Sequence, residues 1–221
     1  MAEVPERPGA EEWVPPGAHV DELRRAAEEC RGCELWREAT QVVFSRGREG
    51  ATMMLVGEQP GDREDLEGEP FVGPAGRLLA DAVDAAGIPR EGVYVTNAVK
   101  HFRFERRGKR RIHEKPAVGN IVACRPWLEA EFDAVQPAIV VALGATAARS
   151  VLGRTVRIGD VRGRVLPPDA SAGASALPAP VLVTTHPSAL LRITESADRA
   201  AAFERLVDDL RTAAKTAGQM K

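Results

Sequence analysis

A three-layer α/β/α fold, with a central four-stranded and mostly parallel sheet, is predicted by three observations. Short apolar runs of strand length stand at 52–56, 93–99, 139–143 and 181–185. Stretches with apolar residues at helical spacing lie between and after them, at 75–86, 118–135 and 197–214. Strands alternating with helices imply right-handed crossovers, hence parallel neighbours covered on both faces. The 221 residues are enough for one domain with a full core, and 44% hydrophobic against 28% charged residues is an ordinary globular balance.

The elements follow in order. Residues 1–18 hold four prolines and no apolar periodicity, so a flexible tail is expected before a single domain at 19–221. Asp21 can cap a helix reaching about Cys30. The run TMMLV at 52–56 ends at Gly57, as a buried strand would. Leu78, Leu79, Ala82 and Val83 share one face of the helix predicted at 75–86, and Gly87 stops it. A second strand, VYVTNAV, covers 93–99, and the polar, basic stretch 102–116 reads as a loop. A helix at 118–135 and a strand at 139–143 follow, then Gly144 and a helix to about Leu152. The segment PPDASAGASALPAP at 167–180 reads as a flexible surface loop, before the fourth strand at 181–185 and the last helix at 197–214. No internal repeat is visible.

Composition excludes some classes. No apolar run is long enough to span a bilayer, and the acidic, Pro-rich beginning lacks the order of a signal peptide. A cytoplasmic monomer is the expectation. Three cysteines are too few for a disulfide scaffold. The net charge of −2 does not favour nucleic acid, but its distribution does: between Lys100 and Lys115 stand eight Lys or Arg and only two Glu.

Unusual polar residues follow the strand ends: GEQPGD at 57–62, Asn97 in the second strand, and His186-Pro-Ser after the fourth. In open parallel sheets ligands bind beyond the carboxyl ends of the strands, so these motifs converge on one crevice. GEQPGD lacks the GK[ST] of a phosphate-binding loop and is either a turn or a pocket wall. Phe71 is either a core aromatic or a platform for a flat base. Asn97 either satisfies local backbone or pairs its carboxamide with a pyrimidine edge. His186 is either structural or a donor to a leaving group's oxygen. Lys109-Arg110-Arg111-Ile112-His113 is either a solvated basic loop or a DNA-binding element whose cations meet phosphates. His113, at its end, could be a nucleophile. Cys30-x-x-Cys33 with Cys124 and His101 could hold a structural zinc or an iron–sulfur cluster, or the cysteines could be unligated buried thiols.

Taken together, GEQPGD at 57–62, PFVGPAGRLL at 70–79, VTNAVKHF at 95–102, CRPWL at 124–128 and HPSALLR at 186–192 resemble the uracil-DNA glycosylase superfamily. Within it the chain looks most like the iron–sulfur glycosylases, and KRRIH at 109–113 resembles the signature of the UdgX type. The resemblance implies a [4Fe–4S] cluster on Cys30, Cys33, His101 and Cys124, with His101 where other iron–sulfur glycosylases carry Cys. It places Phe71 under uracil, Asn97 on its polar edge, Gln59 and Asp62 in the pocket wall, and His186 at the uracil O2. Lys109, Arg110 and Arg111 would hold the loop and the DNA.

The implied reaction is excision of uracil from DNA, single strands preferred, after which His113 bonds to the deoxyribose C1′. Glu58 is expected to take the proton on the other imidazole nitrogen. Two other readings stand beside it: a turnover glycosylase leaving an abasic site, and a non-enzymatic, metal-containing DNA-binding module.

Overall fold

The computed structural model describes residues 7–169 and 176–218. The first half holds helix α1 (Val20–Ala27), strands β1 (Ser45–Arg46) and β2 (Met53–Gly57), helices α2 (Asp62–Glu67) and α3 (Pro74–Ala85), and strands β3 (Val93–Asn97), β4 (Phe104–Arg107) and β5 (Arg110–His113). The second holds helix α4 (Val118–Val135), strand β6 (Ile139–Leu143), helices α5 (Ala145–Leu152) and α6 (Ile158–Val161), strands β7 (Val165–Leu166) and β8 (Val181–Thr184), and helices α7 (Pro187–Leu190) and α8 (Ser196–Thr216).

The main sheet runs β1-β3-β2-β6-β8-β7. Its four central strands are parallel and are the four predicted ones. The sheet has six strands, not four, because β1 and β7 add antiparallel edges of two residues each. Two residues are too few for periodicity to reveal them.

Each central strand is buried throughout because both faces are covered. Met53 and Leu55 of β2 join a core with α3 and α8, while Met54 and Val56 join a second core with α4 and α5. β6 divides likewise, Ile139, Val141 and Leu143 on one face and Val140 and Ala142 on the other. This alternation confirms the three layers. A third core, around Leu23, Phe44, Val99 and Trp127, holds Cys30, Cys33 and Cys124.

Three loop expectations are corrected. The stretch 102–116 contains the hairpin β4–β5, paired from Phe104↔His113 to Arg107↔Arg110. Its two-residue turn starts at Gly108 (φ 62°), the residue type such turns need there. Its charge concealed the pairing. Of the expected tail, residues 1–6 lie outside the described residues, but 7–18 pack on the domain. Ala10 is buried, the Gly9 N–H donates to the Gly32 carbonyl (3.1 Å), and Arg7 pairs with Glu34. Within 167–180, residues 170–175 lie outside the described residues, whereas Leu177 and Ala179 are buried in the second core. Among the described residues no helix is long and apolar enough to cross a membrane.

Candidate functional site

A cleft of about 670 Å³ opens at the carboxyl ends of the parallel strands. Glu58, Gln59, Phe71, Asn97, His113 and His186 all line it, although they are spread over more than half the chain. The convergence predicted from the strand ends is therefore real.

Asn97 ends β3 opposite Gly57 at the end of β2. It is 2% exposed, and its Oδ1 is buried with no hydrogen-bond partner. An orphaned buried acceptor is costly, and a ligand with an N–H donor would satisfy it. Gly57 is required there: a Cβ would lie 2.3 Å from Asn97 Oδ1 and 2.6 Å from Phe71 Cζ. Phe71 has left-handed backbone (φ 57°), a strain on the order of 1–3 kcal/mol for a non-glycine residue. Gly76, in the first turns of α3, lets that backbone approach, since a Cβ would fall 1.8 Å from the Phe71 carbonyl oxygen.

His186 caps α7. Its Nδ1 accepts from the Ser188 N–H (3.1 Å) and lies 2.8 Å from the Ser188 hydroxyl. An Nδ1 that accepts leaves the proton of the neutral ring on Nε2. Burial, then the charges of His113 and Arg192, push its pKa down to about 4, so the ring is neutral at physiological pH. Its plane lies 29° from that of Phe71, with centroids 6.2 Å apart.

His113 ends β5, its side chain 48% exposed. Its Nε2 lies 3.7 Å from Glu58 Oε1 and 3.0 Å from Gln59 Nε2. The Gln59 carboxamide is oriented by the hairpin base. Its Oε1 accepts from the Arg103 N–H (3.3 Å), and its Nε2 donates to the carbonyls of Arg103 (3.1 Å) and Glu114 (3.0 Å). Both N–H groups of the carboxamide are thus directed at carbonyls, and the His113 Nε2 lies beside them. Glu58 was expected on the far side of the imidazole. It lies instead nearest the same Nε2, beyond hydrogen-bond distance, and its Oε2 accepts from the Thr146 hydroxyl. Thr146, Ser188 and Arg192 also line the cleft and were missed by the sequence reading. Gly144 after β6 marked the strand end from which Thr146 could have been found.

Two other site expectations are corrected. Asp62 is not in the cleft wall; it accepts from Arg111 Nε (2.6 Å). Arg111 is not free to meet phosphate. Its Nη1 also pairs with buried Asp65 (2.5 Å) and donates to the Thr40 hydroxyl (3.1 Å), and its guanidinium lies over Phe104 and Phe102. The guanidinium clips the hairpin to α2. Lys109 and Arg110 are exposed, as a DNA contact requires.

Cys30, Cys33 and Cys124 are buried free thiols in the third core, and His101 is buried too. Burial pushes the Cys124 thiol up to about 12 and His101 down to about 4. N–H groups point at the sulfurs: Lys100 N donates to Cys124 Sγ and Trp127 Nε1 to Cys30 Sγ, both at 3.3 Å. Among the described residues no three His, Cys, Asp or Glu side chains converge closely enough to hold a metal ion.

A mostly parallel sheet with a cleft beyond its strand ends, lined by a buried carboxamide and a neutral imidazole, defines an α/β protein with its candidate site at that sheet end. The model of the uracil DNA glycosylase superfamily matches residues 44–211, and the chain belongs to that family. It is similar to the type-4 uracil-DNA glycosylase of Thermotoga maritima, 38% identical over 166 residues covering 75% of this chain and 79% of that protein. The type-4 enzyme of Pyrobaculum aerophilum is 30% identical over 177 residues, 78% of this chain and 85% of its own. That of Sulfurisphaera tokodaii is 39% identical over 129 residues, 57% of this chain and 56% of its own.

Proposed function

We propose that the protein excises uracil from DNA and becomes bonded to the deoxyribose C1′ through His113. Uracil-DNA glycosylase activity is supported by the family and by the named activity of the relatives. The covalent step rests on one observation: the His113 imidazole lines the same cleft as Asn97, Phe71 and His186, with its Nε2 beside Glu58 and Gln59.

The target nucleotide leaves its stack to enter the cleft, which costs least in single-stranded DNA. The Asn97 Oδ1 accepts the uracil N3–H while Phe71 lies against the ring. The C1′–N1 bond breaks and its electron pair leaves with uracil. Neutral His186 donates through Nε2–H to O2, where the charge accumulates. The sugar carries oxocarbenium character, which the Glu58 carboxylate stabilises. The His113 Nε2 lone pair then forms the N–C1′ bond, and the imidazolium loses its Nδ1 proton to solvent. Exposed Lys109 and Arg110 would meet the DNA backbone.

Cys30, Cys33, His101 and Cys124 would hold a [4Fe–4S] cluster. Three buried cysteines in one core, with N–H donors aimed at two sulfurs, suit thiolates bound to iron. The cluster would brace the fold, since the reaction transfers no electrons.

The test is a denaturing gel with uracil and thymine oligonucleotides. Wild type should give a heat-stable band of slower mobility with uracil only, at about one protein per site. The His113→Ser variant should release uracil with turnover and give no such band. A wild-type protein that turns over without an adduct would establish the conventional glycosylase instead. A band that persists in His113→Ser would assign the bond to another residue.

A further inference from the structure

Beside Asn97 lies a buried ion pair that the chemistry above does not use. Lys100 is 1% exposed and Glu131, near the C-terminal end of α4, is 0% exposed. Lys100 Nζ donates to Glu131 Oε2, to Thr96 Oγ1 (2.6 Å) and to the Asn97 carbonyl (3.0 Å). The Tyr94 hydroxyl (3.0 Å) and Thr96 hydroxyl (2.8 Å) donate to Glu131 Oε1. The network therefore holds β3 at residues 94, 96 and 97, ending on the residue that reads the base.

Such a pair is a poor source of stability. Removing two charges from water costs several kcal/mol per ion, and apolar replacement of a buried pair is often neutral or stabilising. What the pair does supply is direction. After Asn97 the chain leaves the sheet and turns, with the Ala98 and Val99 N–H groups donating to the Gly57 and Glu58 carbonyls (2.9 and 3.1 Å). The Lys100 ammonium folds back onto that turn and fixes the Asn97 carbonyl without itself lining the cleft. The Asn97 carboxamide can then aim at a ligand although its Oδ1 has no protein partner to orient it.

We propose that Lys100 and Glu131 together are positioning residues for uracil recognition, acting through the Asn97 backbone. This rests on the reading that Asn97 pairs with uracil. The pair touches neither the base nor the sugar; it sets the geometry of the residue that does.

Free uracil is the probe, its affinity measured by calorimetry on the holoprotein, alongside the single-turnover excision rate and affinity for thymine-containing single strands. The variants are Lys100→Met/Glu131→Leu, which removes both charges at similar volume, and Glu131→Gln, which keeps the shape. With Asn97→Ala as reference, uracil affinity and excision should each fall at least about tenfold in the double variant and about threefold in Glu131→Gln. Thymine-strand affinity and iron content should stay near wild type in both, and so should the melting temperature of the double variant, whereas Glu131→Gln, which strands the buried Lys100 ammonium, should melt lower. If Asn97→Ala itself keeps uracil affinity, the Asn97 reading fails. If Asn97→Ala loses it while either folded pair variant binds uracil as wild type does, the positioning role is overturned. A parallel loss of uracil and thymine-strand affinity would make the pair merely structural and would overturn it as well.

Discussion

Replacing Arg111 by alanine should remove the covalent product before it removes uracil excision. Arg111 fastens the β4–β5 hairpin, which carries His113, to α2. The pair with Asp62, a half-exposed carboxylate, contributes at most about 1 kcal/mol. The pair with Asp65 weighs more, because that carboxylate is fully buried and, among the described residues, would keep only the Thr40 N–H (3.0 and 3.1 Å) as a donor. Stranding one partner of a buried pair costs about 3–5 kcal/mol. A two-stranded hairpin has little stability of its own, so much of that loss falls on its docking. Taking about 3 kcal/mol from the docked state lowers its population relative to the undocked state by about a hundredfold. Adduct formation should slow by up to that factor. Glu58, Phe71, Asn97 and His186 stand on other elements, so uracil release should fall less than about tenfold. Time courses of the heat-stable band and of released uracil, run on the same samples, measure both. Adduct formation at the wild-type rate in a folded Arg111→Ala protein would refute the idea that this clip positions His113.

Three further outcomes are expected. Asn97→Ala should lower uracil excision by about ten- to a hundredfold, since the uracil N–H loses its acceptor, while binding to undamaged strands holds; full activity would make Asn97 structural. His186 has a folded pKa of about 4 against an ordinary 6.5. The unfolded chain therefore takes the proton first, and the contribution of this group is complete above about pH 6.5 and is lost as pH falls towards 4. Melting curves from pH 7 to 4 should fall less steeply for His186→Gln than for wild type, and identical slopes would contradict the buried neutral ring. Purified protein should contain iron and absorb visible light, and Cys124→Ala should lose both together with solubility; a colourless, folded zinc protein would sink the cluster but not the glycosylase.

The layers of this protein were written locally. Residues 53–57, 93–97, 139–143 and 181–184 are mostly apolar and buried on both strand faces, as a covered parallel sheet requires. The same reasoning put Glu58, Asn97 and His186 at one sheet end, because strand direction alone carries residues there. What the sequence could not disclose is which polar partner each side chain would choose. Asp62 and Arg111 stood among expected pocket and DNA residues, yet they pair with each other across 49 positions. Glu58 was assigned to the far imidazole nitrogen, and Lys100 was counted with the basic run although Glu131, 31 residues on, buries it. Periodicity reports how much of a side chain is hidden. Ion pairs and tautomers depend on angles and distances between segments remote in the chain, and those exist only once the sheet has closed and the hairpin has docked.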